Sequence, residues 1–269
     1  MKLLNKVLFS LVIYLVIAIC YYAFLTFVVY EPYESLSIEL NFSQSITEFL
    51  NIQNLDGNKV TLFSLTASTM FYFLINFLLA SILGVIIGII LGKFKLIGSI
   101  SEYFINFFRV MPSIIFIVLF KYQFKFIDSY IYFVGVFASI WPILINTKSG
   151  VEKVNSVQRE SIKILNLPLK QRLFSFILPE AFPNIWDGMK ISIGISFLIT
   201  ITCEYLNPSL LGLGALLKSY ENDNLYPLVT MLIVLWIGLI GIVINLIFDL
   251  FETKLLWLKK QFSTNEGTN

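Results

Sequence analysis

Long apolar stretches separated by short polar ones set the pattern of this chain. Near-continuous runs of Phe, Ile and Leu cover residues 7–30, 61–92, 100–120, 126–146, 184–206 and 226–250. A helix needs about 20 predominantly apolar residues to cross the hydrocarbon core. Each of the six runs meets that length, so six transmembrane helices are predicted. Two polar intervals are long enough to carry something of their own. One is the Asn- and Glu-rich segment 31–60, and the other is the basic, amphipathic stretch from Gly150 to Pro183.

The first run follows Lys2 and Lys6, as a signal peptide would. Yet Val7 to Tyr30 far exceeds a signal core of about 7–15 residues. Bulky Ile19 before Cys20 also speaks against a lipoprotein site. The expectation is an uncleaved helix. Composition agrees with a membrane chain: hydrophobic residues make up 57% of 269 positions and charged ones 13%, against about 25% charged in soluble domains. A net charge of +2 gives no field to attract nucleic acid. The chain has no histidine, which excludes imidazole ligands, His bases and Ser-His triads. Cys20 and Cys203 both lie in apolar runs and read as small buried side chains, not as a disulfide or metal site.

Charge asymmetry gives the orientation. With six spans, one side collects Lys2, Lys6, Lys93, Lys95, Lys148, Lys153, Arg159, Lys163, Lys170, Arg172, Lys190, Lys254, Lys259 and Lys260. The other holds Lys59, Lys121, Lys125 and Lys218 among a larger number of acids. Both termini are therefore expected in the cytoplasm, with 31–60 an external loop. Within the second run, Ala80, Gly84, Gly88 and Gly92 recur at four-residue intervals. Small residues on one helix face let a neighbour approach closely. Gly92-Lys93 has neither the spacing nor the following Ser/Thr of a phosphate-binding loop.

The 150–183 stretch predicts a helix, a sharp turn and a second short helix. Asn155 with Gln158 three residues on can cap the first. Asn166 stands where that helix stops, being a residue that tolerates the left-handed conformation. Pro168 preorganises the second helix, Leu178-Pro179 ends it, and Pro183 leads into the fifth span. Asp187 would then lie in the first turn of that span and complement its dipole.

The series Glu160-Ser161-Ile162, three residues, Asn166, nine residues, Phe176-x-Leu178-Pro179 resembles the EAA loop of ABC importer permeases. That motif reads Glu-Ala-Ala, then Gly, then Ile-x-Leu-Pro at the same spacings. Ser and Ile replace the two alanines here, Asn the glycine, and Phe the isoleucine. Arg109-Val-Met-Pro112, Asn146-Thr147 with Gly150, Gly188, Glu204, Gly212-Leu213-Gly214, Glu252 and Trp257 are similar to the nitrate/sulfonate/taurine type of these permeases. The likeness runs from about residue 61 to 258.

The resemblance implies an all-α integral membrane fold of the type I ABC importer kind, with about six spans and a cytoplasmic coupling-helix loop. Residues 1–60 form an N-terminal transmembrane helix and external loop, 61–258 the permease domain with its coupling loop at 150–183, and 259–269 a cytoplasmic tail. It also implies a multi-pass permease of the bacterial cytoplasmic membrane, in contact with lipid and paired with a second permease copy as a homodimer. Separate subunits bind and hydrolyse ATP, so this chain carries no cofactor, no metal and no catalytic residue. An external or periplasmic solute-binding protein delivers a small anion such as a sulfonate, taurine or nitrate. Glu160, Ser161, Ile162, Asn166, Leu178 and Pro179 are the ATPase-coupling positions. The alternatives are a permease for another small solute, such as a thiamine precursor, or a secondary transporter. The latter needs paired midplane charges and repeated broken helices, and the sequence shows neither.

Ionisable groups inside a membrane cost roughly 2.5–3.5 kcal/mol each, so Arg109 and Glu204 are candidates for the pathway or its gate. Arg109 reads either as an anion contact or as half of a structural pair, with Glu102 seven residues earlier as the nearest acid on its helix face. Glu204 falls near the external end of its helix.

Overall fold

A computed structural model describes residues 60–121, 123, 129–153, 168–221 and 227–265, with isolated positions between Val12 and Phe49. Most of the first predicted span lies outside the described residues, as do Glu160, Ser161, Ile162 and Asn166. Every described element is helical, the form in which a backbone in lipid satisfies its own polar groups. In chain order these are α1 (Leu62–Lys93), α2 (Lys95–Val110), α3 (Ser113–Lys121) and α4 (Ser129–Glu152). Next come α5 (Leu169–Arg172, Leu173–Ile177 and Leu178–Leu206 in one rod), α6 (Leu213–Glu221) and α7 (Pro227–Asn265).

By length and composition, four segments among the described residues can cross a membrane: Leu62–Lys93, Ser129–Glu152, Lys170–Leu206 and Leu228–Thr253. The bent pair α2–α3 makes a fifth if it counts as one span. The runs at 61–92, 126–146 and 226–250 thus return as α1, α4 and α7. α7 also continues as helix through Asn265, into the segment expected to be a tail.

Two predicted elements are corrected. The third run, 100–120, is not one rod: its two halves meet at 79°. Pro112 is the cause. A residue before proline is pushed out of the helical region, and Met111 stands at φ −64°, ψ 128°. With nine residues, α3 rises about 13 Å, less than half the hydrocarbon core.

The second short helix does not end at Leu178-Pro179. It runs unbroken into the fifth span, having started after Pro168, whose carbonyl accepts the Arg172 N–H at 3.1 Å. An α-helix holds an interior proline badly, because the missing N–H and the ring both disturb the carbonyl four residues back. Here Leu173–Ile177 winds as a π-helical turn, and the Leu178 N–H reaches back to Leu173 O. The extra residue in that turn gives the Pro179 ring room at the start of the regular helix. Pro183 lies one turn further inside the same helix. Asp187 therefore sits exposed in a helix interior, not in a first turn, and the dipole role does not apply to it.

The chain divides into two compact units, Ala67–Leu210 and a second made of Met1–Thr66 with Leu211–Asn269. In the second, Leu65, Leu213, Leu216, Val229 and Ile233 form a buried cluster. The Trp236 indole N–H donates to Thr66 Oγ1 at 3.0 Å beside it. In the first unit, α1 and α5 pack against α4 through glycines. A Cβ at Gly88 would stand 2.6 Å from Thr147 Cβ and 2.8 Å from Leu144 O. One at Gly188 would stand 2.8 Å from Pro142 O. The stripe Gly84, Gly88 and Gly92 is thus the α4-facing side of α1, as the spacing predicts.

Candidate functional site

A polar seam runs through the buried interior of the 67–210 unit. Along α5, Gly188, Ser192, Ser196, Thr200 and Glu204 fall at four-residue intervals and so share one face. The four polar members are fully buried. Ser192 Oγ donates to Ser139 O on α4 at 2.6 Å, and Ser196 Oγ to Phe73 O on α1 at 3.3 Å. Asn76 Nδ2 donates to Thr200 Oγ1 at 3.3 Å, and Thr69 Oγ1 to Glu204 Oε2 at 3.0 Å. Interhelical hydrogen bonds inside membranes contribute about 0.6 kcal/mol each. The seam therefore fixes the register of α1, α4 and α5 more than it supplies bulk stability.

Glu204 ends this seam at 0% exposure, three residues before the C-cap Asn207. Its neighbourhood is held on two further sides. The Tyr130 hydroxyl donates to Cys203 O at 3.0 Å, and Lys121 Nζ donates to Leu206 O at 2.7 Å. A cation on the terminal carbonyls complements the negative end of a helix.

Arg109 occupies the last turn of α2, exposed, two residues before the Met111–Pro112 break. Glu102 is not its partner. That carboxylate accepts instead from Lys148 Nζ on α4, at 2.5 Å. Lys148, one of the lysines read to the cytoplasmic side, has a side chain only 8% exposed, with Glu152 Oε1 also 3.7 Å from its Nζ. An ammonium taken out of water needs such partners to offset its lost hydration. Arg109 and Glu204 are thus in different settings, one exposed at the elbow and one enclosed in the seam.

Of the coupling positions read from the sequence, Leu178 and Pro179 lie on α5 just beyond the π-helical turn, Leu178 half-buried and Pro179 exposed. The start of the loop is fastened to α5. Lys153 Nζ donates to Asn184 Oδ1 at 3.1 Å, and a Cβ at Gly150 would stand 2.9 Å from Asn184 Cβ. Elsewhere in the unit, α1, α2 and α4 enclose an open apolar groove of about 720 Å³, with Leu83, Leu91, Phe104, Phe108, Phe137 and Trp141 in its walls.

Residues 80–256 match the family model described as "Binding-protein-dependent transport system inner membrane component". The chain belongs to that family. Among family relatives, the bicarbonate transport system permease protein CmpB of Synechococcus elongatus is 31% identical over 113 residues, 42% of this chain and 40% of that protein. The nitrate import permease protein NrtB of Synechocystis is 30% identical over 113 residues, again 42% and 40% of the two chains. The alignable part thus spans about two fifths of these curated relatives' length. A crystal structure described as an amino acid ABC transporter with histidines has the same fold. It covers 74% of this chain and 92% of its own, with a TM-score of 0.54 at 18% identity. An inner-membrane component with several apolar helices is a multi-pass membrane protein of the type I importer fold, and its family is one of permease subunits, not of enzymes.

Proposed function

We propose that this chain is the permease subunit of an ATP-driven importer for a small anion. It provides the solute path, while separate subunits bind and hydrolyse ATP and an external binding protein delivers the solute. A second permease copy completes the path within the bacterial cytoplasmic membrane, with both termini in the cytoplasm. The observation that carries the reading is the family match over residues 80–256, joined to the EAA-type spacing from Glu160 to Pro179. Glu160, Ser161, Ile162 and Asn166 form the docking part, and Leu178 and Pro179 enter α5. A lever of this kind lets ATP-driven closure of a partner bias a transmembrane equilibrium. The likeness to a bicarbonate and a nitrate permease supports an anionic solute, as does the exposed guanidinium of Arg109 at the elbow. Arg109 is assigned to the solute path, and Glu204 to the seam that steadies the external gate.

The test is uptake into proteoliposomes carrying the chain with its ATPase subunit and binding protein. Labelled nitrate, bicarbonate and an alkanesulfonate are offered with ATP inside, with and without vanadate. Accumulation of one of these anions that vanadate abolishes is expected. Uptake that follows an ion gradient without ATP, or ATP turnover by the isolated chain, contradicts the reading.

A further inference from the structure

The helix before the elbow is held by few contacts. Most apolar side chains of α2 are exposed, among them Leu96, Ile100, Tyr103, Phe104 and Phe107, while Ile105 is buried. The apolar groove of about 720 Å³ lies between α2 and the helices behind it. Ile105 packs with Leu91 and Leu144, and two further links flank it. Midway along α2, Glu102 meets the buried ammonium of Lys148. Nearer the elbow, the Phe108 ring stacks on Trp141 with centroids 5.9 Å apart and planes 7° from parallel. The two helices run antiparallel across these links, and Gly98 lets the start of α2 sit close to Leu91 O and Lys148 Cε. Lys148 also faces Glu152, at the end of α4 where the 150–183 segment departs.

We infer that Lys148 is the positioning residue that carries movement of the α4 end to the α2–α3 elbow, and thereby to Arg109. This rests on residues 150–183 being the ATPase-coupling segment. A buried ammonium cannot leave its carboxylates without becoming an uncompensated charge, so Glu102 and the start of α2 follow Lys148. From Glu102 to Arg109 α2 is an uninterrupted helix. It delivers the displacement about 10 Å away as a rigid rod, seven residues at 1.5 Å each. The groove behind α2 gives the rod space to move. Lys148 itself touches no solute in this scheme.

Two readouts test it. In a Cys20→Ser, Cys203→Ala background, with the labelled chain diluted into unlabelled copies so that one permease of a pair carries label, spin labels at Tyr103→Cys on α2 and Ile191→Cys on α5 should show one narrow distance distribution. Lys148→Met and Glu102→Gln should each broaden it, and Lys148→Arg should leave it narrow. In the reconstituted complex, the same two broadening variants should lower uptake per ATP hydrolysed about two- to thirty-fold, with ATPase activity retained. The Glu102→Lys, Lys148→Glu exchange, combined with Glu152→Gln to spare the new carboxylate a like charge, should recover both. A narrow distribution in Lys148→Met, or full coupling in it, overturns the relay. Broadening in these variants when the wild-type complex shows no ATP-driven uptake would leave the clamp standing and reject the permease reading instead.

Discussion

At position 88 the fold leaves room for a hydrogen and little else. A Cβ there would overlap both Thr147 Cβ and Leu144 O, one of them backbone that cannot rotate away. Position 194, on the exposed side of α5, has nothing within 4 Å of the same atom. Gly88→Val should therefore force α1 and α4 apart and destabilise the chain by about 1–3 kcal/mol or more. Gly194→Ala should be neutral or stabilising by up to about 1 kcal/mol through helix propensity. Thermal unfolding of the two purified variants in one detergent measures both, and equal midpoints would mean the α1–α4 contact is not as close as described. The stripe on α1 was legible in the sequence because glycines every four residues have few other uses in an apolar helix. The stripe on α5 has the same spacing, yet its hydroxyls were passed over. Ser and Thr sit comfortably in any transmembrane helix by donating to their own earlier carbonyls, as Thr200 does to Ser196 O at 2.8 Å. The partner of Glu102 was not legible either. Spacing along one helix favours Arg109, whereas Lys148 lies 46 residues away on another helix, and only packing brings the two together.

Among the elements, apolar length alone located α1, α4 and α7, since crossing lipid leaves little choice of conformation. The errors fell at prolines. The same residue type broke the rod at Pro112, was absorbed by a π-helical turn at Pro179, and lay inside continuous helices at Pro142 and Pro183. Local sequence does not distinguish these outcomes, because neighbouring helices decide whether the freed carbonyls find other donors. Orientation remains an element-scale expectation from the lysine and arginine asymmetry. With Cys20 and Cys203 replaced, single cysteines at Glu48 and Glu221 should react with an impermeant thiol reagent in intact cells. Cysteines at Lys163 and Lys259 should react only after lysis. The reverse pattern would turn the chain over and detach the 150–183 segment from any cytoplasmic ATPase.

At the scale of the 67–210 unit, a seam fixes α1, α4 and α5, and the α2 side of the elbow lies outside it. The hydrogen bonds from Thr69 to Glu204 and from Ser192 to Ser139 keep the register of the three long helices. α3 sets Phe116 and Ile117 into the core beside Tyr130 and Cys203, whereas most apolar side chains of α2 are exposed and Arg109 stands in its last turn. Such a division suits a permease, in which one body must stay intact while another changes access to the solute. The central claim is that residues 150–183 deliver the work of an ATPase to this body, and Asn166 tests that claim most directly. The role proposed for Asn166 from the sequence is to take positive φ at a helix stop, which Gly does at less cost than Asn and a β-branched residue does badly. The measurement is anion uptake per ATP hydrolysed by the reconstituted complex, with the amount of inserted protein matched. Asn166→Gly should couple as the wild type does, while Asn166→Val should hydrolyse ATP with little uptake. Undiminished coupling in Asn166→Val together with failure of Asn166→Gly would contradict the turn, and with it the lever assigned to this segment.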